Sequence, residues 1–135
     1  MGARSHRYDV AIVGAGIAGC TAALAAAARG ASVLLLEQDP FTEQRGGVWL
    51  HPPAMDALEA LGVDLEPPVG YPTGKGFVVQ PEDGSAPVVL PYRSGRFGSS
   101  LSHSLLVETL RGHCVAREGI DYVPHACATR IEGGV

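Results

Sequence analysis

Aromatic residues are scarce in this sequence: one Trp, four Tyr and three Phe make up 6% of its 135 residues. Basic residues are also few, with ten Lys and Arg against fourteen Asp and Glu, and they form no block along the chain. A surface for nucleic acid is therefore not indicated. The length suits one domain, whose interior must be built mainly from alanine, valine and leucine.

Cysteine occurs only three times, as Cys20, Cys114 and Cys127, without CxxC spacing. An odd number at these spacings argues against a disulfide framework. The pairs His113-Cys114 and His125-x-Cys127 fit no common zinc pattern. We therefore predict no metal site, and we expect small buried cysteines in a reducing compartment.

The sequence also lacks long apolar runs without glycine. The N-terminal MGARSHRYDV has no apolar stretch of the kind that signal peptides contain. The run from Val10 to Ala28 includes three glycines and is closed by Arg29-Gly30. This pattern favours a strand, a turn and a helix over a membrane span. We expect a cytoplasmic chain without a membrane span.

The most informative stretch is YDVAIVGAGIAGC, residues 8–20, which contains G-x-G-x-x-G. A short apolar strand precedes the glycines, and an alanine-rich helix is predicted over Ile17–Arg29, with Gly30 ending it. A second strand is predicted over Ser32–Glu37. Strand, glycine turn, helix and strand make one βαβ unit, which predicts an α/β, Rossmann-like fold with buried parallel strands.

This turn has the residues that a dinucleotide site needs. Gly14 permits a sharp turn, Gly16 lets the backbone approach a pyrophosphate, and Gly19 lets the helix pack against the strand. The helix N-terminus offers N–H donors to phosphates. Glu37 ends the second strand, where it can accept hydrogen bonds from ribose hydroxyls and disfavours the 2′-phosphate of NADP. The alternative is a packing turn followed by a surface glutamate.

Beyond this unit the pattern alternates between short helices and strands. Trp49 and Tyr71 are expected in the core rather than in a substrate pocket. The apolar side of the later helix is predicted as Leu105, Leu106, Val107 and Leu110. The predicted elements are a helix at 52–63, a β-hairpin at 77–90, a connector at 93–100, a helix at 102–115, and strands at 119–125 and 128–135.

Three segments, taken together and in this order, resemble a known family. They are DVAIVGAGIAGCTAALAAAARGASVLLLEQD, QRGGVWLHPPAMDALEALGV and LSHSLLVETLRGHC. They resemble the N-terminal part of the FAD-dependent monooxygenases of the p-hydroxybenzoate hydroxylase and squalene epoxidase type. The resemblance implies an FAD cofactor, NAD(P)H as electron donor, and transfer of one oxygen atom to an aromatic or olefinic small molecule.

The resemblance also implies which residues hold the cofactor. The glycine turn would hold the pyrophosphate and Glu37 the adenosine ribose, while Arg45 would lie along the diphosphate or flavin edge. His103 stands where the family usually has arginine, so it is either a pH-dependent donor to FAD or an ordinary first residue of a helix. No catalytic residue is predicted. The expected cofactor-binding residues are Gly14, Ala15, Gly16, Ile17, Ala18, Gly19, Glu37, Gln38, Arg45, Gly46, Gly47 and His103.

Later motifs of the family, an Asp-Gly and a Gly-Asp pair, have no counterpart before Val135. We therefore expect residues 1–135 to be one incomplete FAD-binding domain of marginal stability, with a hairpin at 71–92 on the substrate-domain side. Two alternatives stay open: a non-catalytic or split module that a second chain completes, and a flavin reductase or halogenase of the same fold. The coding sequence after Val135 would separate a truncated protein from a split one.

Overall fold

The structure, a computed structural model, describes residues 7–41, 46–65 and 72–133. In these ranges a strand, a helix and a strand come first, and short strands dominate the middle of the chain. In chain order the elements are β1 (Val10–Val13), α1 (Ile17–Ala27), β2 (Val33–Glu37), β3 (Gly47–Leu50), α2 (Pro52–Ala60), β4 (Thr73–Gly74), β5 (Gly76–Val79), β6 (Val88–Pro91), a 3₁₀ turn (Arg93–Gly95), β7 (Gly98–Ser102), α3 (His103–Ala116) and β8 (Ile120–Pro124).

The chain divides into two compact units, residues 1–44 with 104–135, and residues 45–103. The first unit contains a parallel sheet in the order β1-β2-β8, and the second contains only antiparallel pairings among its described strands. None of the helices in the described ranges combines the length and the apolar character that crossing a membrane requires. The predicted α/β fold is confirmed.

The parallel sheet of the first unit brings two chain segments to one edge. Val33 of β2 lies opposite Val10 of β1 and opposite Ile120 of β8. Because parallel strands share a direction, the residues that follow β1 and β2 meet at the carboxyl edge, where ligands bind in open α/β sheets. This edge carries the glycine turn and Glu37. The predicted βαβ unit is therefore present, with α1 as its crossover.

The core of the first unit lies between this sheet and the buried stripes of α1 and α3. On α3, Leu106, Val107 and Leu110 are buried as predicted, whereas Leu105 is half-buried and Cys114 completes the stripe. Burying a leucine or valine side chain contributes about 1.5–3 kcal/mol. The other buried apolar residues of this unit are Ala15, Cys20, Ala23, Leu24, Val33, Leu35 and Ile120.

Strand β1 is less buried than the sequence predicts. Its four residues alternate between half-buried and exposed, and Val13 is 61% exposed. In the described part of the chain β1 pairs only with β2, so it is an edge strand. Its apolar sequence is that of a strand covered on both faces, which the described residues do not provide.

The predicted strand at 128–135 is wrong for the residues that the structure describes. Residues 126–133 follow β8 without regular structure, and Ile131 is 88% exposed. A strand needs a hydrogen-bonding ladder, and no described strand lies beside this segment. Apolar and β-branched residues alone are therefore not enough to form one here.

The second unit contains a strand where the sequence predicts the end of a connector at 93–100 and the first residue of a helix at 102–115. Residues 98–102 form β7, the central strand between β3 and β4. Glycine and serine suit this position because the indole of Trp49 lies against it: a Cβ on Gly98 would lie 2.8 Å from Trp49 Nε1. The predicted hairpin is present as β5 and β6, with Phe77 opposite Leu90.

An aromatic cluster forms around the half-buried Trp49 in the second unit. Its Nε1 donates a hydrogen bond to the hydroxyl of Tyr92 over 2.8 Å, and that hydroxyl lies 2.9 Å from Nδ1 of His51. The Phe77 ring meets Tyr92 edge-on, with centroids 5.8 Å apart. Trp49 thus packs rather than lining an open pocket, while Tyr71 lies outside the described residues.

Candidate dinucleotide site

The glycine turn joins β1 to α1 at the carboxyl edge of the parallel sheet. Gly14 has a φ of 99°, a left-handed conformation that favours glycine, and its N–H donates to the Leu36 carbonyl over 2.7 Å. A Cβ on Gly19 would lie 1.8 Å from the Gly14 carbonyl oxygen. The helix therefore packs directly on the turn, and both positions require glycine.

The N-terminus of α1 is open at Gly16. A Cβ built on Gly16 would meet no heavy atom within 4 Å, although its φ of −81° suits any residue. No side chain caps this helix end, and its first turn has no acidic residue. The first N–H groups of a helix lack intrahelical partners and carry partial positive charge. Open space beside such donors fits the diphosphate of a dinucleotide.

Glu37 lies at the end of β2, and its side chain is only 13% exposed. Oε2 accepts a hydrogen bond from the N–H of Ala15 over 2.7 Å, and Oε1 accepts one from the N–H of Asp39 over 2.9 Å. Two backbone segments thus fix the carboxylate beside the turn. A carboxylate has about four acceptor positions, so capacity remains for a ribose hydroxyl.

Arg111 on α3 is the residue of this site that sequence reasoning missed. Its Nη2 lies 3.1 Å from Oε2 of Glu37, and its side chain is only 12% exposed. Its Nε donates to the Ala15 carbonyl over 2.7 Å, and its Nη1 donates to the Pro40 carbonyl over 2.5 Å. The sequence held a signal: Arg111 follows the buried Val107 by four positions, within the apolar stripe of α3.

Two buried thiols pack beside the turn. Sγ of Cys20 donates to the Ala15 carbonyl over 3.4 Å, and Sγ of Cys114 donates to the Cys20 carbonyl over 3.6 Å. The neighbouring Cys20 thiol, together with burial, raises the pKa of the Cys114 thiol. Both side chains are inaccessible to solvent, so they act as packing groups. The described residues hold no group of three His, Cys, Asp or Glu arranged for a metal ion.

Several buried polar atoms have no hydrogen-bond partner in the described part of the chain, and two of them bear on this site. One is Nδ1 of His103, at the start of α3, and the other is the hydroxyl of Tyr122 on β8. Burial raises the pKa of Tyr122, so it stays a neutral phenol at physiological pH. A buried polar atom without a partner costs free energy unless something else satisfies it.

The remaining predicted residues are placed as follows. Gln38 is exposed, directly after Glu37. In the second unit, Gly46 has a φ of 65° and its carbonyl accepts a hydrogen bond from the His103 N–H over 3.1 Å. Gly47 begins β3. Arg45 lies outside the described residues.

Comparison with known proteins identifies the family. The model of the FAD-dependent oxidoreductases matches residues 9–127. The squalene epoxidase ERG1 of Gibberella zeae is 33% identical, over 96% of this chain and 30% of the relative.

Solved structures show the same fold. A flavoprotein/dehydrogenase from Cytophaga hutchinsonii superposes with a TM-score of 0.73 at 23% identity, over 96% of this chain and 33% of its own. The structure of 2-methyl-3-hydroxypyridine-5-carboxylic acid oxygenase gives a TM-score of 0.67 at 23% identity, over 86% of this chain and 31% of its own. The chain thus spans about a third of the length of these proteins. The resemblance found in the sequence is confirmed, and the chain belongs to the FAD-dependent oxidoreductase family.

Proposed function

We propose that this chain is the FAD-binding part of a flavin-dependent monooxygenase that acts on an aromatic or olefinic small molecule. One observation carries the proposal: an open, uncapped helix N-terminus and a largely buried carboxylate lie at one edge of a parallel sheet. These are the groups that a diphosphate and an adenosine ribose require. Similarity to a squalene epoxidase supports the reaction class.

In this proposal each half of the site has a defined task. The N–H groups of Ile17 and Ala18, next to the bare Gly16, bind the diphosphate. Ala15 contributes by donating its N–H to Glu37, which accepts a ribose hydroxyl. The positive end of the α1 dipole favours the anion. Gly14 and Gly19 keep the turn in shape without contacting the cofactor through side chains.

Similarity to the flavin-dependent oxidoreductases supports further proposed contacts to FAD. Gly46 and Gly47 leave room for the cofactor, and Arg45 neutralises a phosphate or meets the flavin edge. Nδ1 of His103, which is buried without a partner among the described residues, supports a hydrogen bond to FAD. Gln38, exposed next to Glu37, is a further candidate contact on the adenosine side.

When bound, FAD supplies the redox chemistry: it takes two electrons from NAD(P)H and activates O₂. One oxygen atom enters the substrate and the other leaves as water. The protein's part is to bind and orient the cofactor and to exclude water. We assign the hairpin at 71–92 to the substrate-domain side. Free, buried Cys20 and Cys114 support a reducing compartment such as the cytoplasm.

The cofactor assignment is tested by the visible absorbance of the purified chain after addition of excess FAD and gel filtration. We expect flavin absorbance to co-elute with the chain. Gly16→Val, which places a side chain where the diphosphate approaches, and Glu37→Ala should both lose it. An exposed control, Glu118→Ala, should retain it. A folded wild-type chain that elutes without flavin would contradict the assignment.

The reaction class is tested with ¹⁸O₂. The FAD-loaded chain is supplied with NAD(P)H and aromatic or olefinic substrates, and products are analysed by mass spectrometry. One ¹⁸O atom in the product is the expected result. NAD(P)H oxidation without label in any product would indicate a reductase. Bound FAD without either reaction would indicate a non-catalytic module.

A further inference from the structure

We propose that Arg111 is the positioning residue that fixes the Glu37 carboxylate for the adenosine ribose and thereby sets how strongly the site discriminates between ribose hydroxyls. The inference rests on the proposed FAD site and concerns its adenosine end. Arg111 acts through Glu37 and needs no contact with the nucleotide itself. Its side chain belongs to α3, far in sequence from the glycine turn that it helps to arrange.

The guanidinium is held at three points. Nε bonds to the Ala15 carbonyl at 2.7 Å and Nη1 to the Pro40 carbonyl at 2.5 Å, which leaves Nη2 facing Glu37 at 3.1 Å. Arginine presents its donors in a rigid planar fork, so two backbone bonds determine where the third donor points. The position of Glu37 is therefore tied to both the turn and the loop after β2.

The Glu37 carboxylate has few hydrogen-bond acceptor positions left for a ligand. A carboxylate offers about four, two on each oxygen. On Oε2 of Glu37, the Ala15 N–H and Arg111 Nη2 take both; on Oε1, the Asp39 N–H takes one. About one position remains, on Oε1. The arrangement therefore accepts one ribose hydroxyl without breaking a protein contact, so one hydroxyl should matter more than its neighbour.

Without Arg111, the Glu37 carboxylate would be held only by the N–H groups of Ala15 and Asp39. Oε2 would regain an acceptor position, and the charge would lose its ion-pair partner at a site that is only 13% exposed. A carboxylate with one open acceptor position on each oxygen can accept either ribose hydroxyl, although with less preorganisation. Loss of selectivity between ribose hydroxyls is thus the specific signature of positioning, whereas a purely structural role would weaken all ligands alike.

The experiment measures Kd by calorimetry for ADP, 2′-deoxy-ADP and 3′-deoxy-ADP on the 135-residue chain. Wild type should bind ADP about tenfold or more tightly than one of the two deoxy analogues, the size expected for a hydrogen bond to a charged group. In the Arg111→Gln variant, the ratio of the Kd of that deoxy analogue to the Kd of ADP should fall to about twofold or less. The control is Arg29→Gln, because Arg29 also donates to a backbone carbonyl, that of Ala25 at 2.9 Å, but is exposed. It should keep the wild-type ratio.

Each other outcome has a defined meaning. If Arg111→Gln weakens all three ligands by one factor and keeps the ratio, Arg111 is only structural and the inference is wrong. If wild type binds neither FAD nor ADP, the proposed function itself is overturned, and this inference with it. Should Arg111→Gln fail to fold, Arg111→Lys replaces it: one ammonium group cannot reproduce the fork, so the ratio should still fall.

Discussion

The backbone N–H of Ala15 donates a hydrogen bond to Oε2 of Glu37 over 2.7 Å, joining residues 22 positions apart. This bond couples the two features that the sequence presents separately, a glycine turn and an acid at the end of the next strand. Because both belong to the carboxyl edge of one parallel sheet, the carboxylate is held beside the helix N-terminus before any ligand arrives. Preorganisation of this kind reduces the cost of binding.

Replacing two glycines of the turn should separate folding from binding. Gly19→Ala places a Cβ 1.8 Å from the Gly14 carbonyl, so the free energy of unfolding should fall by about 3 kcal/mol or more. Gly16→Ala meets no atom and should change stability by less than about 1 kcal/mol, yet weaken FAD binding. Urea unfolding and FAD titration measure the two effects. Equal stability losses in both variants would contradict this reading of the turn.

The pair of Glu37 and Arg111 should contribute to stability in the absence of cofactor. Glu37→Gln leaves the guanidinium without its counter-charge, and we expect the free energy of unfolding to fall by about 1–3 kcal/mol. The double variant with Arg111→Gln should lose less than the sum of the single losses, with a coupling of about 0.5–3 kcal/mol in urea unfolding. Glu118→Gln, which makes the same change at an exposed site, serves as the control. Strict additivity would show that the pair does not interact.

The hydroxyl of Tyr92 should stabilise the second unit. Tyr92→Phe removes the acceptor of the Trp49 N–H and the partner of His51, so we expect a loss of about 1–2 kcal/mol in urea unfolding followed by tryptophan fluorescence. Tyr8→Phe removes an exposed hydroxyl that donates to Asp121 and should cost less. A Tyr92→Phe variant as stable as wild type would mean that the half-buried hydrogen bonds contribute nothing net.

The start of the βαβ unit should respond to acid. The N–H and hydroxyl of Ser32 donate to Asp9 and hold the pKa of that carboxyl below its ordinary 3.8. A folded-state pKa below the unfolded one gives stability that is present above the unfolded value and is lost as pH falls through the folded value. Ser32→Ala should therefore raise the Asp9 pKa toward 3.8 in a carbon-detected NMR titration. An unchanged pKa would show that the Ser32 hydroxyl contributes nothing and that the backbone N–H of residue 32 alone lowers it.

The three cysteines should differ sharply in reactivity. Cys127 is exposed, whereas Cys20 and Cys114 are buried, and the raised pKa of Cys114 suppresses its thiolate further. One thiol should react quickly with a disulfide reagent in the native chain, and the other two only on unfolding. Cys127→Ser should abolish the fast phase. Three fast thiols would show that the core around α1 and α3 opens readily.

The sequence predicts the βαβ unit well because each of its features depends on residues that lie close together in the chain. Strand, glycine turn and helix follow one another within a few residues, and Gly14 and Gly19 occupy conformations or contacts that only glycine permits. The position of Glu37 follows from the parallel register alone. The hairpin of β5 and β6 could be predicted from the sequence in the same way, since its turn lies between two short apolar runs.

Features that depend on residues distant in the sequence could not be predicted from local patterns. The sequence predicts a connector over most of β7 because glycine has low strand propensity, and only the indole of Trp49 explains why small residues are needed there. The strand expected at 128–135 is absent from the described residues because no strand lies beside them. The role of Arg111 depends on how α3 packs, since its partners lie 71 to 96 positions away.

The most direct test of the central claim is an amide NMR titration of the chain with ADP, the half of FAD that the first unit would hold. We expect the largest shift changes at the backbone amides of Ala15 to Gly19 and around Glu37, with saturation at one ligand per chain. The amides of the hairpin at 77–90 should not move. Saturable changes centred elsewhere, or none at the glycine turn in a folded chain, would contradict the claim that this turn and Glu37 form a dinucleotide site.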